Sequence, residues 1–109
     1  QLAEQMVPGL FGADMYSGWG IRTLSITSQR YNPMSYHNGS IWPHDNSLIA
    51  LGLNRYGYKN EALTVLQGLF NASLRFTGQR LPELFCGFAQ RAGEGPGLIG
   101  IISGDRDFV

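Results

Sequence analysis

Apolar positions recur at helical spacing in the middle of the chain and lose that spacing on either side of it. Leu48, Ile49, Gly52, Leu53 and Tyr56 fall on one face of a helix that Pro43 can open, because proline suits a first turn whose N–H groups have no partner. Gly57 then supplies a left-handed cap. Ala62, Leu63, Leu66, Leu69, Phe70, Ser73 and Leu74 repeat the spacing over a second helix, with Asn60 as the expected N-cap and Glu61 set favourably in its first turn. Three residues join the two. So short a link predicts an antiparallel αα-hairpin with two apolar faces to bury.

The flanks read differently. Gln1 to Met6 looks like the tail of a helix that Pro8-Gly9 stops. From Phe11 to Ser40 the chain is rich in Gly, Ser, Asn and Tyr, which predicts a long ordered loop with a short strand around Ile21 to Ile26. Loops longer than about 12–15 residues inside compact domains are usually functional or disordered. The aromatics Phe11, Tyr16, Trp19, Tyr31 and Tyr36 argue against disorder, since disordered segments are poor in them. After Phe76, Gly78 breaks the second helix, and Arg80 to Phe88 is too short and proline-interrupted to be helical. Leu98 to Ile102 reads as a strand. The expected class is all-α, an αα-hairpin with long ordered loops.

Composition narrows the partners. The chain has 109 residues, eight Lys+Arg against eight Asp+Glu, only 15% charged residues and fifteen glycines. That length allows one domain with one modest core. Small domains normally keep a charged, mixed surface, so few charges that cancel suggest a surface covered in part by more protein. The cations are scattered singly, without the basic stripe of a nucleic-acid binder. No apolar run approaches the eighteen or so residues of a spanning helix, which sets membranes aside. A lone Cys86 and no opening signal segment point to a cytoplasmic location, and Gln1 in place of Met points to a piece of a longer chain.

Candidate chemistry concentrates between Tyr31 and Asn46. Tyr31, Tyr36, Trp42, His37, His44, Asn32, Asn38, Asn46 and Asp45 are the residue types of a sugar site: aromatic faces stack on C–H patches, while amides and carboxylates hydrogen-bond hydroxyls. The plainer alternative is that Asp45 and Asn46 cap the first helix. His37 and His44 are seven apart, which matches no usual zinc spacing, so neither a metal nor a cofactor is expected. The apolar neighbours of Cys86 should raise its thiol pKa and leave it inert. Glu83, between Pro82 and Leu84-Phe85, is either a carboxyl held among apolar groups as a general acid or base, or a partner of Arg80 or Arg91 that pins the loop.

The runs Ser17-Gly18-Trp19-Gly20-Ile21-Arg22-Thr23-Leu24, Tyr31-Asn32-Pro33 through Trp42-Pro43-His44-Asp45-Asn46, and Leu81-Pro82-Glu83-Leu84-Phe85 together resemble the C-terminal part of amylo-α-1,6-glucosidase (glycogen-debranching-like) proteins over residues 1–96. The resemblance implies part of an (α/α)₆ toroid, a six-hairpin fold related to mannosylglycerate hydrolase, trehalase and glucoamylase-type enzymes. It implies an inverting glycoside hydrolase with Glu83 as general base. Trp19, Arg22, Tyr36, His37, Asn38, Trp42, His44 and Asp45 would then line a sugar subsite. The substrate would be an oligosaccharide or α-glucoside, and the remainder of the toroid or a neighbouring chain would be the protein partner. No position matches the family's general acid, so the chain alone is expected to be inactive. Residues 97–109 depart from the family pattern. The alternative is a non-catalytic carbohydrate-binding or structural helical domain.

Overall fold

A computed structural model describes residues 2–91 and 93–97 of the chain. Its helices are α1 (Leu2–Leu10), α2 (Pro43–Arg55) and α3 (Lys59–Ser73), followed by a 3₁₀ turn at Thr77–Gln79. The expected strand at Leu98 to Ile102 and the divergent tail lie outside the described residues, apart from Gly97. Among the described residues the architecture is all-α, with three helices and isolated β-bridges in place of strands. A twelve-helix toroid is not seen in it.

The hairpin forms as its pattern predicts. Pro43 opens α2, and Gly57, at φ +87°, ends it. The Gly57 N–H donates to the Asn54 carbonyl and the Tyr58 N–H to the Leu53 carbonyl, at 3.1 and 2.8 Å. This pairing of nested bonds is a Schellman motif, and it satisfies two carbonyls that a helix end otherwise leaves open. Because Tyr58 is already committed to that motif, α3 starts at Lys59, and Asn60 sits inside the first turn instead of capping it. Its carbonyl accepts the Thr64 hydroxyl. The three-residue link turns α3 back onto α2, and the two helices pack together.

The buried faces match those expected only in part: Leu53, Ala62 and Leu69 are buried, with Ile49 packed against them. Pro43, Asn46, Ala50 and Leu53 are buried on α2, and Ala62, Val65, Gly68, Leu69 and Ala72 on α3. Leu48, Tyr56, Leu63, Leu66, Phe70 and Leu74 are exposed. Both helices carry two apolar stripes, and the one rich in small residues is turned inward. Small side chains let backbones approach: a Cβ on Gly68 would stand 2.7 Å from the Trp19 carbonyl oxygen.

Pro8 does not stop α1, which runs on to Leu10. Pro8 carries no N–H for an i→i−4 bond, and the helix closes beyond it by i→i−3 bonds from the Phe11 and Gly12 N–H groups to the Pro8 and Gly9 carbonyls, both at 3.3 Å. Val7 of α1 joins Ile21, Ala50, Leu53, Ala62, Val65 and Leu69 in one core. A second, smaller core of Trp19, Ile41, Ala72 and Phe85 lies where the loops meet the end of α3.

The strand expected near Ile21 reduces to single bridges: Tyr16 with Ile21, Arg22 with Ile41, and Ile41 with Phe85. Ile41 and Phe85 exchange both N–H···O bonds, at 2.8 and 2.9 Å. That clasp holds the segment around Glu83 against the chain entering α2.

Candidate functional site

The loop before α2 owes its order to short polar side chains that bond to nearby backbone. Asn32 Oδ1 accepts the Met34 N–H, Ser35 Oγ accepts the N–H groups of His37 and Asn38, and the Asn32 N–H reaches the Asn38 carbonyl. Such local bonds substitute for a helix or sheet ladder. Thr23 ties the loop to the body, donating its hydroxyl to the His37 carbonyl at 2.8 Å and accepting the Gly39 N–H at 2.9 Å. The loop then presents Tyr36 and His37 beside Trp42, the residue that precedes α2.

Three rings meet there. Tyr36 stands edge-on to His37 at 4.7 Å and to Trp42 at 4.9 Å, and the His37 and Trp42 planes are within 7° of parallel at 5.9 Å. Edge-to-face packing sets the positive rim of one ring against the negative face of the next. The Trp42 Nε1–H donates to both the Tyr36 carbonyl and Ser40 Oγ, each at 3.1 Å. The Tyr36 hydroxyl donates to Glu83 Oε2 at 2.8 Å, closing a cluster of three rings and one carboxylate on the surface. That bond, then partial burial, then the nearby negative charge push the Tyr36 phenol above its ordinary pKa of 10.0.

The position of Glu83 corrects the local reading of its neighbours. Pro82 and Leu84 are buried, but the chain bends at Glu83, which is exposed between them. Its hydrogen-bond partner is Tyr36, neither Arg80 nor Arg91. Trp19 and Arg22 stand apart from the cluster. Trp19 is 1% exposed, with the Arg75 guanidinium 5.7 Å from its ring centroid. Arg22 is 4% exposed and donates from Nε to the Gly87 carbonyl at 2.6 Å and from its guanidinium to the Ala13 carbonyl at 3.0 Å. Both are built into the frame, away from solvent.

Asn38, His44 and Asp45 are exposed, the last two in the first turn of α2. Neither Asp45 nor Asn46 caps that helix through its side chain: the N-cap is Trp42, without a side-chain bond. Asn46 is buried and pairs with the backbone of Ile21. Asn46, expected as a sugar-site amide or a cap, is instead a buried anchor, and Ser40 is a contributor that the chemistry of the sequence did not single out, since a buried hydroxyl looks like a loop residue until its partners are known.

Cys86 is buried and free, and burial pushes its thiol above its ordinary range. Among the described residues no group of three or more His, Cys, Asp or Glu side chains is placed to hold a metal ion. No described helix is long and apolar enough to cross a membrane.

No curated protein matches the chain. The family described as the mannosylglycerate hydrolase MGH1-like glycoside hydrolase domain matches residues 3–85, a span that holds α1 from its second residue, the loop, the hairpin and Glu83. The match bears out the six-hairpin glycoside hydrolase part of the resemblance and does not extend to the debranching type. The chain belongs to the mannosylglycerate hydrolase MGH1-like glycoside hydrolase family.

Proposed function

We propose that Tyr36, His37 and Trp42 bind one sugar unit of an α-glucoside and that Glu83 is the general base of its inverting hydrolysis. The observation that carries this reading is the 2.8 Å bond from the Tyr36 hydroxyl to Glu83 Oε2. It fixes a solvent-facing carboxylate beside three rings and leaves Oε1 to take a proton from water. That water attacks the anomeric carbon from the face opposite the departing oxygen. Exposed Asn38, His44 and Asp45 would hydrogen-bond sugar hydroxyls, while Trp19 and Arg22 act by holding the frame. An inverting site needs two carboxyls about 6.5–9.5 Å apart. The cluster joins only Glu83, so the general acid is not among its members.

α-Glucosyl fluoride tests this directly. Fluoride leaves without the protonation that an alkoxide requires, so a base alone suffices: the water oxygen bonds to carbon, the carbon–fluorine bond breaks, and Glu83 takes the proton. The chain should release fluoride and β-glucose from this compound while leaving a methyl α-glucoside intact, and Glu83→Gln should abolish the release. Turnover unchanged in the Gln variant would remove Glu83 as base. The single carboxylate also favours a second reading, a carbohydrate-binding domain without chemistry. Oligosaccharide binding read by Trp42 fluorescence, with no fluoride release from the wild-type chain, would select it.

A further inference from the structure

We infer that Ser40 is a positioning residue of this site, whose hydroxyl fixes Tyr36 and through it the orientation of Glu83. The inference rests on Glu83 being the working carboxylate. Ser40 is fully buried, although it lies one residue from Ile41 and two from the half-buried Trp42. A buried hydroxyl needs partners, and this one has two in opposite senses. Its Oγ donates to the Tyr36 carbonyl at 2.9 Å and accepts the Trp42 Nε1–H at 3.1 Å. Trp42 Nε1 also reaches that same Tyr36 carbonyl, so three groups close a triangle around one backbone oxygen. The triangle settles where the Tyr36 backbone lies and which way the indole faces, the two things that define the edge-to-face contact at 4.9 Å.

From Tyr36 the constraint passes on through the phenol to Glu83 Oε2. The carboxylate is held from its own side as well, because Phe85, two residues on, is clasped to Ile41, the neighbour of Ser40. Ser40 thus stands at the root of both supports. Without its hydroxyl, the Tyr36 carbonyl and the Trp42 N–H keep only each other, and the ring pair can rotate away from Glu83. Removal of the hydroxyl breaks two hydrogen bonds, one donated and one accepted. Its consequence at the phenol is a loss of contact, which is measurable separately.

The test is a pH titration of the whole chain carrying ¹³Cζ-labelled tyrosine, followed by NMR, with the Tyr36 signal assigned by its loss in Tyr36→Phe. Glu83 and the neighbouring His37 are the titratable groups facing that phenol. Glu83→Gln should lower the Tyr36 midpoint, which calibrates the contact. Ser40→Ala should lower it to the same place while circular dichroism stays unchanged, and Ser40→Thr, which restores a hydroxyl, should bring it back. A Tyr36 midpoint that stays at the wild-type value in Ser40→Ala but falls in Glu83→Gln would overturn the assignment. If Ser40→Ala does not fold, Ser40→Cys fills the same space with a weak donor and reads the same way. None of this involves sugar, so failure of fluoride release with a normal Ser40 response would sink the catalytic reading and leave the positioning geometry intact.

Discussion

The Asn46 side chain pairs with the backbone of Ile21 as a neighbouring strand would. Its Oδ1 accepts the Ile21 N–H at 2.8 Å and its Nδ2 donates to the Ile21 carbonyl at 3.1 Å, with a further bond to the Trp42 carbonyl at 3.0 Å. An amide is the side chain that offers a donor and an acceptor in this spacing. Gly20 leaves room for it, since a Cβ there would lie 3.2 Å from Asn46 Oδ1 and 2.9 Å from Ile41 Cγ2. One helix residue thereby anchors the long loop to α2.

Asn46→Ala is expected to leave both backbone groups of the buried Ile21, its N–H and its carbonyl, without their partner. Each buried group left unpaired costs about 1–3 kcal/mol, so a loss of about 3 kcal/mol is expected, read as a lower urea midpoint at unchanged slope. Asn46→Asp keeps the acceptor but sets a carboxylate against two carbonyls. It should be as damaging at neutral pH and recover in part below about pH 4, where a protonated carboxyl donates again. An Ala variant as stable as wild type would show that the pairing is not a support.

The hairpin was legible because its signals are local: Pro43, Gly57 and the helical period sit within a few residues of the structure they cause. The anchors were not, because they join distant positions. Tyr36 and Glu83 are 47 residues apart and Asn46 and Ile21 are 25 apart, and nothing at either end announces the other. The motifs nevertheless named both members of the Tyr36–Glu83 pair, by residue type and not by proximity. Trp19 and Arg22 sit in those same motifs and turned out to be buried. A motif marks positions that a site needs, whether they touch a ligand or hold up those that do.

Gly87 is a point where no side chain fits. A Cβ there would land on the Gly39 carbonyl oxygen, which is backbone and has no rotamer to change. The Gly87 carbonyl also accepts Arg22 Nε and the Tyr31 hydroxyl, and its N–H donates to the Pro33 carbonyl. Gly87→Ala should therefore cost more than the roughly 1–3 kcal/mol typical of overpacking. It should also shift the Glu83 segment enough to remove the Tyr36–Glu83 contact, seen as a lowered Tyr36 titration midpoint. A folded variant with an unchanged midpoint would mean that the loops yield at Gly39 without disturbing the site.

Alkaline pH should weaken the fold. Cys86 and Tyr16 are raised by burial, and Tyr36 is raised chiefly by its bond to Glu83, from ordinary values of 9.0, 10.0 and 10.0. Above those ordinary values the unfolded chain has released protons that the native chain still holds, so stability falls as pH rises. The contribution is complete below the unfolded values and is lost as pH climbs through the folded ones. Urea midpoints measured from about pH 8 to about pH 10.5 should decline, and Cys86→Ala or Tyr36→Phe should flatten that decline. The same burial predicts that Cys86 resists alkylation in the native chain and reacts on unfolding. Rapid native labelling would contradict it.

Neighbouring residues on α3 separate the two apolar stripes of that helix. Val65 is fully buried against the core, whereas Leu66 is 46% exposed. Periodicity alone assigns Leu63, Leu66 and Phe70 to the packed face as readily as Ala62, Val65 and Leu69. Val65→Ala removes two methyl groups and leaves a void, for an expected loss of about 2–3 kcal/mol at roughly 0.8 kcal/mol per buried methylene plus the cavity. Leu66→Ala removes a larger side chain, yet much of it already faces water, and alanine favours the helix slightly, so the loss should be under about 1 kcal/mol. Comparing urea midpoints of the two variants decides the orientation of the helix. If Leu66→Ala proved the costlier, the outward stripe would be packed in solution, and the face described as exposed would be covered.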